Sequence, residues 1–183
     1  PVVVDPMGVF GGLCAAGGRV VEPTVRPAAV PASAWPDLLG LDPTSGAGSL
    51  LWRVVADAVA AASGVRRNGT SPDPETGVPL PSLDDVRGRI DASGAPEAAR
   101  RAADNHLRLA ESWGVFDAAA APVESFAADG TPTVLDLAGV PERAGAAVVR
   151  AVARGLYDAR VAGRLDRLPW LLVDEAHAFF GGV

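Results

Sequence analysis

The residues best suited to chemistry lie near the carboxyl end. Leu168-Pro169-Trp170-Leu171-Leu172-Val173 is an apolar run that stops on Asp174-Glu175. Such a run reads as a buried strand, and a buried strand holds the carboxylate at its tip in a fixed place. Two adjacent acids there have a defined chemistry. The first can hold a divalent cation, directly or through water, and the second can polarise a water attacking a phosphoryl group. Two more apolar runs reach an acid: Val2-Val3-Val4 at Asp5, and Thr133-Val134-Leu135 at Asp136. In an open parallel sheet those ends share one edge, where ligands bind. An acid there stays within reach of water or a cation, whereas in mid-strand it would be buried and unpaired. For Asp5, followed by Pro6, marking the turn is the simpler role.

These strands need elements between them to set their order. The helical spacing of apolar residues at 51, 54, 55, 58, 59 and 62 predicts a helix over 49–63, capped by Ser49 and stopped by Gly64. Ser82 with Asp85 three residues on predicts a capped short helix to about Ile90. A third helix is expected from Pro96 to Trp113, with Ala99, Ala103, Leu107 and Ala110 inward. A long one is expected from about Glu142 to Ala162, with Val148, Val149, Val152, Leu156 and Ala159 inward. Prolines at 23, 27, 31 and 36 keep residues 17–36 extended, and residues 65–81 read as a polar, mobile Pro/Gly loop. Trp35, Trp52, Trp113, Phe116 and Trp170 are expected as core anchors. Strand, helical insertion, strand, helix, strand implies an α/β fold, a parallel sheet with covering helices. The expectation is one domain over 1–183, with a largely helical insertion at about 17–130.

Composition narrows the chemistry. The chain has 183 residues, 16 Lys+Arg against 22 Asp+Glu, and a net charge of −6; every cation is arginine. Without lysine there is no Schiff base and no G-x-x-x-x-G-K-[ST] phosphate loop in these residues. One cysteine, Cys14, and two histidines, His106 and His177, leave no internal disulfide and nearly exclude structural zinc. No apolar run approaches the roughly 18–20 residues of a membrane span. A cytoplasmic setting is expected, and no membrane partner. Apolar residues make up 49% but aromatics only 5%, so the core must be built from small side chains that let helices approach closely.

An apolar run followed by Asp-Glu is the Walker B arrangement. Residues 168–180 resemble the Walker B segment of HerA/FtsK-type hexameric ATPases. Pro132-Thr-Val-Leu-Asp-Leu-Ala-Gly-Val140 and the helix ending Gly155-Leu-Tyr-Asp-Ala-Arg160 are similar to the strand and helix before it, and Val2 to Phe10 to the strand after the Walker A helix. The resemblance covers residues 1–10 and 131–180. It implies a P-loop, RecA-like core fragment of an ATP-driven DNA translocase or helicase-like motor, working as a homo-oligomeric ring on DNA with ATP and Mg²⁺. Asp174 would hold the metal and Glu175 would be the catalytic base. Asp136 would be a lesser nucleotide-site ligand. His177 would belong to the nucleotide site as the histidine that, in DEAH-box helicases, couples nucleotide to nucleic-acid contacts, its plain account being a polar residue past the strand satisfied by its neighbours. The missing lysine then implies a chain cut after the Walker A helix and inactive alone. Asp174-Glu175-Ala176-His177 also spells motif II of DEAH-box superfamily 2 helicases, a lesser alternative. A non-catalytic degenerate P-loop relative or helical interaction module is the competing class. Arg143, Arg150, Arg154, Arg160, Arg164 and Arg167 make the end of the chain locally basic; a solvated, partly paired helix surface is their plain account, DNA phosphate contact the functional one.

Overall fold

The computed structural model describes residues 1–62, 81–127 and 129–180. The polar loop expected over 65–81 lies outside them except for Pro81, and so does Gly64. Two compact units are present. One joins residues 1–25 to 120–183, and the other is continuous over 26–119.

Among its described residues the first unit carries four parallel strands: β1 (Val2–Asp5), β2 (Arg19–Val21), β3 (Thr133–Asp136) and β4 (Leu171–Val173), in the order β2-β3-β1-β4. β1 is central and pairs with both β3 and β4. Val2, Val4 and Leu135 are completely buried and Val134 nearly so, as expected of parallel strands covered on both faces. Among the described residues β4 pairs only with β1, and Leu172 remains 50% exposed. The apolar run before it is longer than the strand: Leu168 and Trp170 are 71% and 72% exposed. Trp170 still contributes its carbonyl, which accepts Val2 N–H at 2.7 Å. Pro169 has no N–H to give a ladder.

β2 falls in the stretch where proline spacing predicted only extended backbone. Its anchor is Arg19, whose guanidinium donates to Thr133 Oγ1 (3.1 Å), Asp129 Oδ2 (3.1 Å) and the Ser125 carbonyl (2.7 Å). The small-residue core has its predicted consequence in the helix over Glu142–Val161, which leads from β3 to β4. Its inward face is Ala144, Ala147, Val148, Val149, Ala151, Val152, Leu156 and Ala159. A Cβ added at Gly155 would lie 2.9 Å from Val123 Cβ, so glycine lets the segment at Val123 close on the helix.

The second unit is helical. In chain order it holds α1 (Trp35–Leu38), α2 (Gly46–Ala62), α3 (Leu83–Asp91) and α4 (Glu97–Ser112); the helix before β4 is α5 (Glu142–Val161) and the last turn is α6 (His177–Phe180). α2 starts three residues earlier than Ser49, because Ser45 Oγ accepts Gly48 N–H at 3.0 Å and supplies the cap. α3 has the expected reciprocal capping box between Ser82 and Asp85. Trp35 is buried, with its ring 5.1 Å from that of Phe116. Trp52 is not an anchor: it is 46% exposed on α2. Like Trp170, it shows that a large apolar residue need not be interior.

Candidate functional site

The strand order gathers the three strand-end acids. Asp5 and Asp136 are register partners on β1 and β3. Val4 pairs with Val173, and Asp174 N–H donates to the Val4 carbonyl at 3.2 Å, which places Asp174 at the same edge on the other side of β1. The carboxyl edge therefore runs Asp136, Asp5, Asp174. The sequence pattern anticipated this row because each apolar run ends in an acid.

The three acids are in different states. Asp5 is 1% exposed; its Oδ1 accepts Val9 N–H at 3.1 Å and its Oδ2 accepts Phe10 N–H at 2.8 Å. Both oxygens are thus committed to the backbone of the turn after β1, in agreement with the turn-marking role. Asp136 is half-buried and closes its own turn by accepting Ala138 N–H at 2.9 Å. Asp174 is half-buried, and its Oδ1 accepts the N–H of Glu175 at 3.0 Å. Its other oxygen takes no hydrogen bond among the described residues.

Glu175 is the one described non-glycine residue with a positive φ, +49°. A residue with a Cβ enters this left-handed region at a cost of about 1 kcal/mol or more, tolerated where the surroundings impose it. Here the constraint comes from both sides. Upstream is β4. Downstream, Ala178 N–H donates to the Glu175 carbonyl at 2.8 Å, and the buried Phe179 ring occupies the space left by Gly145 on α5, where a Cβ would lie 2.9 Å from Phe179 Cε1. Gly145 and Phe179 thereby hold the Glu175 turn. Sequence reasoning missed both, since a glycine in a helix and an aromatic past a strand carry no signal until they meet.

His177 Nδ1 lies 3.2 Å from Glu175 Oε2, with side-chain exposures of 81% and 49%. The structure thus places His177 beside the second acid. Of the six arginines near the end of the chain, Arg154 pairs with Asp158 at 2.8 Å and Arg164 with Glu124 at 3.1 Å. Arg160 donates to the Leu165 carbonyl at 3.1 Å. The solvated, partly paired surface is what these three show.

No group of three or more His, Cys, Asp or Glu among the described residues could hold a metal ion by itself. A magnesium site of the phosphoryl-transfer kind needs only one or two carboxylates beside substrate phosphates and water. An open oxygen on a half-buried Asp174 fits such a share.

No family model matches the sequence, and no curated protein matches it. The structure of VirB4 of Thermoanaerobacter pseudethanolicus is similar at a TM-score of 0.67 and 17% identity, over 97% of this chain and 75% of that one. A likeness at this identity shows a shared fold: a parallel four-stranded sheet with surrounding helices. No described helix is long and apolar enough to cross a membrane.

Proposed function

We propose that the chain supplies the metal-and-water half of a magnesium-ATP site in a motor ATPase of the FtsK/HerA/VirB4 type. One observation carries this reading. At the carboxyl edge of a parallel sheet, an open aspartate at a strand tip (Asp174) is followed by a glutamate held in a strained turn (Glu175). The VirB4 likeness in fold and the Walker B resemblance support it.

In this reading Asp174 would hold Mg²⁺, which supplies charge neutralisation on the phosphates when bound. The chain's own contribution is placement. β4 fixes Asp174, the turn anchored by Phe179 on Gly145 aims Glu175 outward, and the Glu175 carboxylate takes the proton of the attacking water. His177, against Glu175 Oε2, restrains that carboxylate while remaining open to solvent. Asp136 faces the same edge as a lesser, water-mediated ligand. The phosphate-gripping lysine must come from residues outside these 183, since none of them is lysine. Accordingly these residues alone should not hydrolyse ATP. Movement on DNA and assembly into a ring belong to the same proposal.

The test is Glu175→Gln in the full-length protein. Loss of the base should lower ATP turnover by at least about 100-fold while ATP binding is kept. Turnover at the wild-type rate would remove Glu175 from the chemistry, and failure of the wild type to bind ATP would favour a non-catalytic P-loop relative.

A further inference from the structure

Asp5 occupies the middle of the carboxyl edge yet is withdrawn from it, and the use made of its carboxylate is specific. Its two oxygens hold successive amides, Val9 and Phe10, four and five residues on. This draws Pro6-Met7-Gly8 into a tight loop over the end of β1. Gly8 takes φ +70°, a conformation glycine enters freely. The loop then lies against the neighbouring turn: a Cβ added at Gly8 would meet Ala138 Cβ at 3.1 Å and Asp136 Oδ1 at 3.8 Å. The Asp136 oxygen concerned is the one that accepts Ala138 N–H. Two turns, one closed by Asp5 and one closed by Asp136, are therefore packed directly together, and a side chain at position 8 would crowd Ala138.

We propose that Asp5 is a positioning residue for the nucleotide site, setting the Asp136 carboxylate through the Gly8 loop rather than meeting metal or nucleotide itself. The proposal rests on the ATPase reading for its effect on turnover, but its structural half does not. A charged acceptor satisfying two part-buried amides is stronger than a neutral one. Asp5→Asn keeps the shape but offers one oxygen and one NH₂, so one of the two amides loses its partner and the loop lifts from Asp136. Gly8→Ala acts on the other side of the contact and leaves Asp5 untouched. Its added methyl must push on Ala138, in a backbone conformation that alanine resists.

The experiment uses the full-length protein with ¹³C-labelled aspartate carboxyls, the Asp136 signal being assigned by its loss in Asp136→Asn. Asp5→Asn and Gly8→Ala should each move the Asp136 signal. In steady-state ATPase assays each should lower kcat by about tenfold with KM for ATP unchanged within about twofold, as expected of a misplaced group. A purely structural cap would lower the melting temperature and leave the Asp136 signal in place, and that result in both variants overturns the proposal. A raised KM with unchanged kcat overturns it too. Should Asp5→Asn fail to fold, Gly8→Ala decides. Should the wild type not bind ATP, the functional reading fails separately, and the carboxyl signals still report whether Asp5 sets Asp136.

Discussion

Asp5 and Asp174 end adjacent parallel strands at one edge of one sheet, and they have opposite fates. β1 is flanked on both sides and its tip is roofed by the Gly8 loop, so Asp5 is 1% exposed and its carboxylate is consumed by two amides. Among the described residues, β4 is paired on one side only and one Asp174 oxygen accepts no hydrogen bond. The same residue type at equivalent strand positions is thus committed to the fold in one case and left largely unsatisfied by the described residues in the other. The deciding variable is the path of the chain after the acid. Pro-Met-Gly curls back over Asp5, whereas Glu175 turns away into α6. Chemistry at a sheet edge requires an acid that the fold has left unsatisfied.

This contrast is broken most forcefully at β1. Asp5→Ala orphans the Val9 and Phe10 amides, and should destabilise the protein by about 2 kcal/mol in urea denaturation. Val4→Ala, at a site with no exposure, should cost a similar amount, about 2 kcal/mol, through lost burial and a residual cavity. Stabilities of both variants within about 0.5 kcal/mol of wild type would mean that β1 is not the anchored strand.

Much of this arrangement was legible in the sequence. Val2-Val3-Val4-Asp5 and Thr133-Val134-Leu135-Asp136 announce their strands because both faces are buried and no alternation is needed. The stripe Val148, Val149, Val152, Leu156 and Ala159 defines the inner face of α5 at once. β2 was not legible. Its three residues include a charged Arg19 and lie beside prolines, and what makes them a strand is the distant set Ser125, Asp129 and Thr133. Trp52 and Trp170 misled because size argues for burial while only tertiary context grants it. At the site, the acids were readable as strand ends, but their states were not. The two amides on Asp5, the positive φ of Glu175 and the Phe179–Gly145 contact all depend on where the chain goes next.

A third acid sharpens the contrast from the helical unit. Asp104 on α4 accepts from Arg108 Nε and from Arg87 Nε, both at 2.9 Å. The Arg108 hydrogen bond, with that of Arg87, holds its carboxyl below the ordinary aspartate range despite the opposing effect of burial. The folded state therefore binds this proton more weakly than the unfolded state. Its stabilisation is complete above the unfolded pKa of about 4 and disappears as pH falls through the lower folded value. Asp104→Asn should cost about 1 kcal/mol at neutral pH, and the gap to wild type should close as pH falls below the unfolded value of about 4 and through the lower folded one. A gap independent of pH would show that charge on Asp104 is not what the two arginines hold.

The smallest expected effect on stability is at β4, where it is the most telling. Leu172 is 50% exposed, and the Asp174 carboxylate accepts only the neighbouring Glu175 N–H among the described residues. Leu172→Ala and Asp174→Asn should each shift stability by no more than about 0.5 kcal/mol, as for surface positions away from buried networks. An asparagine keeps an oxygen for Glu175 N–H but loses the charge a metal requires. In the full-length protein, Asp174→Asn should therefore abolish the magnesium dependence of ATP binding, seen by titrating a fluorescent ATP analogue with and without Mg²⁺, while the urea midpoint stays put. A large loss of stability with magnesium dependence intact would make Asp174 another Asp5, an acid committed to the fold, and the difference between the two strand tips would vanish.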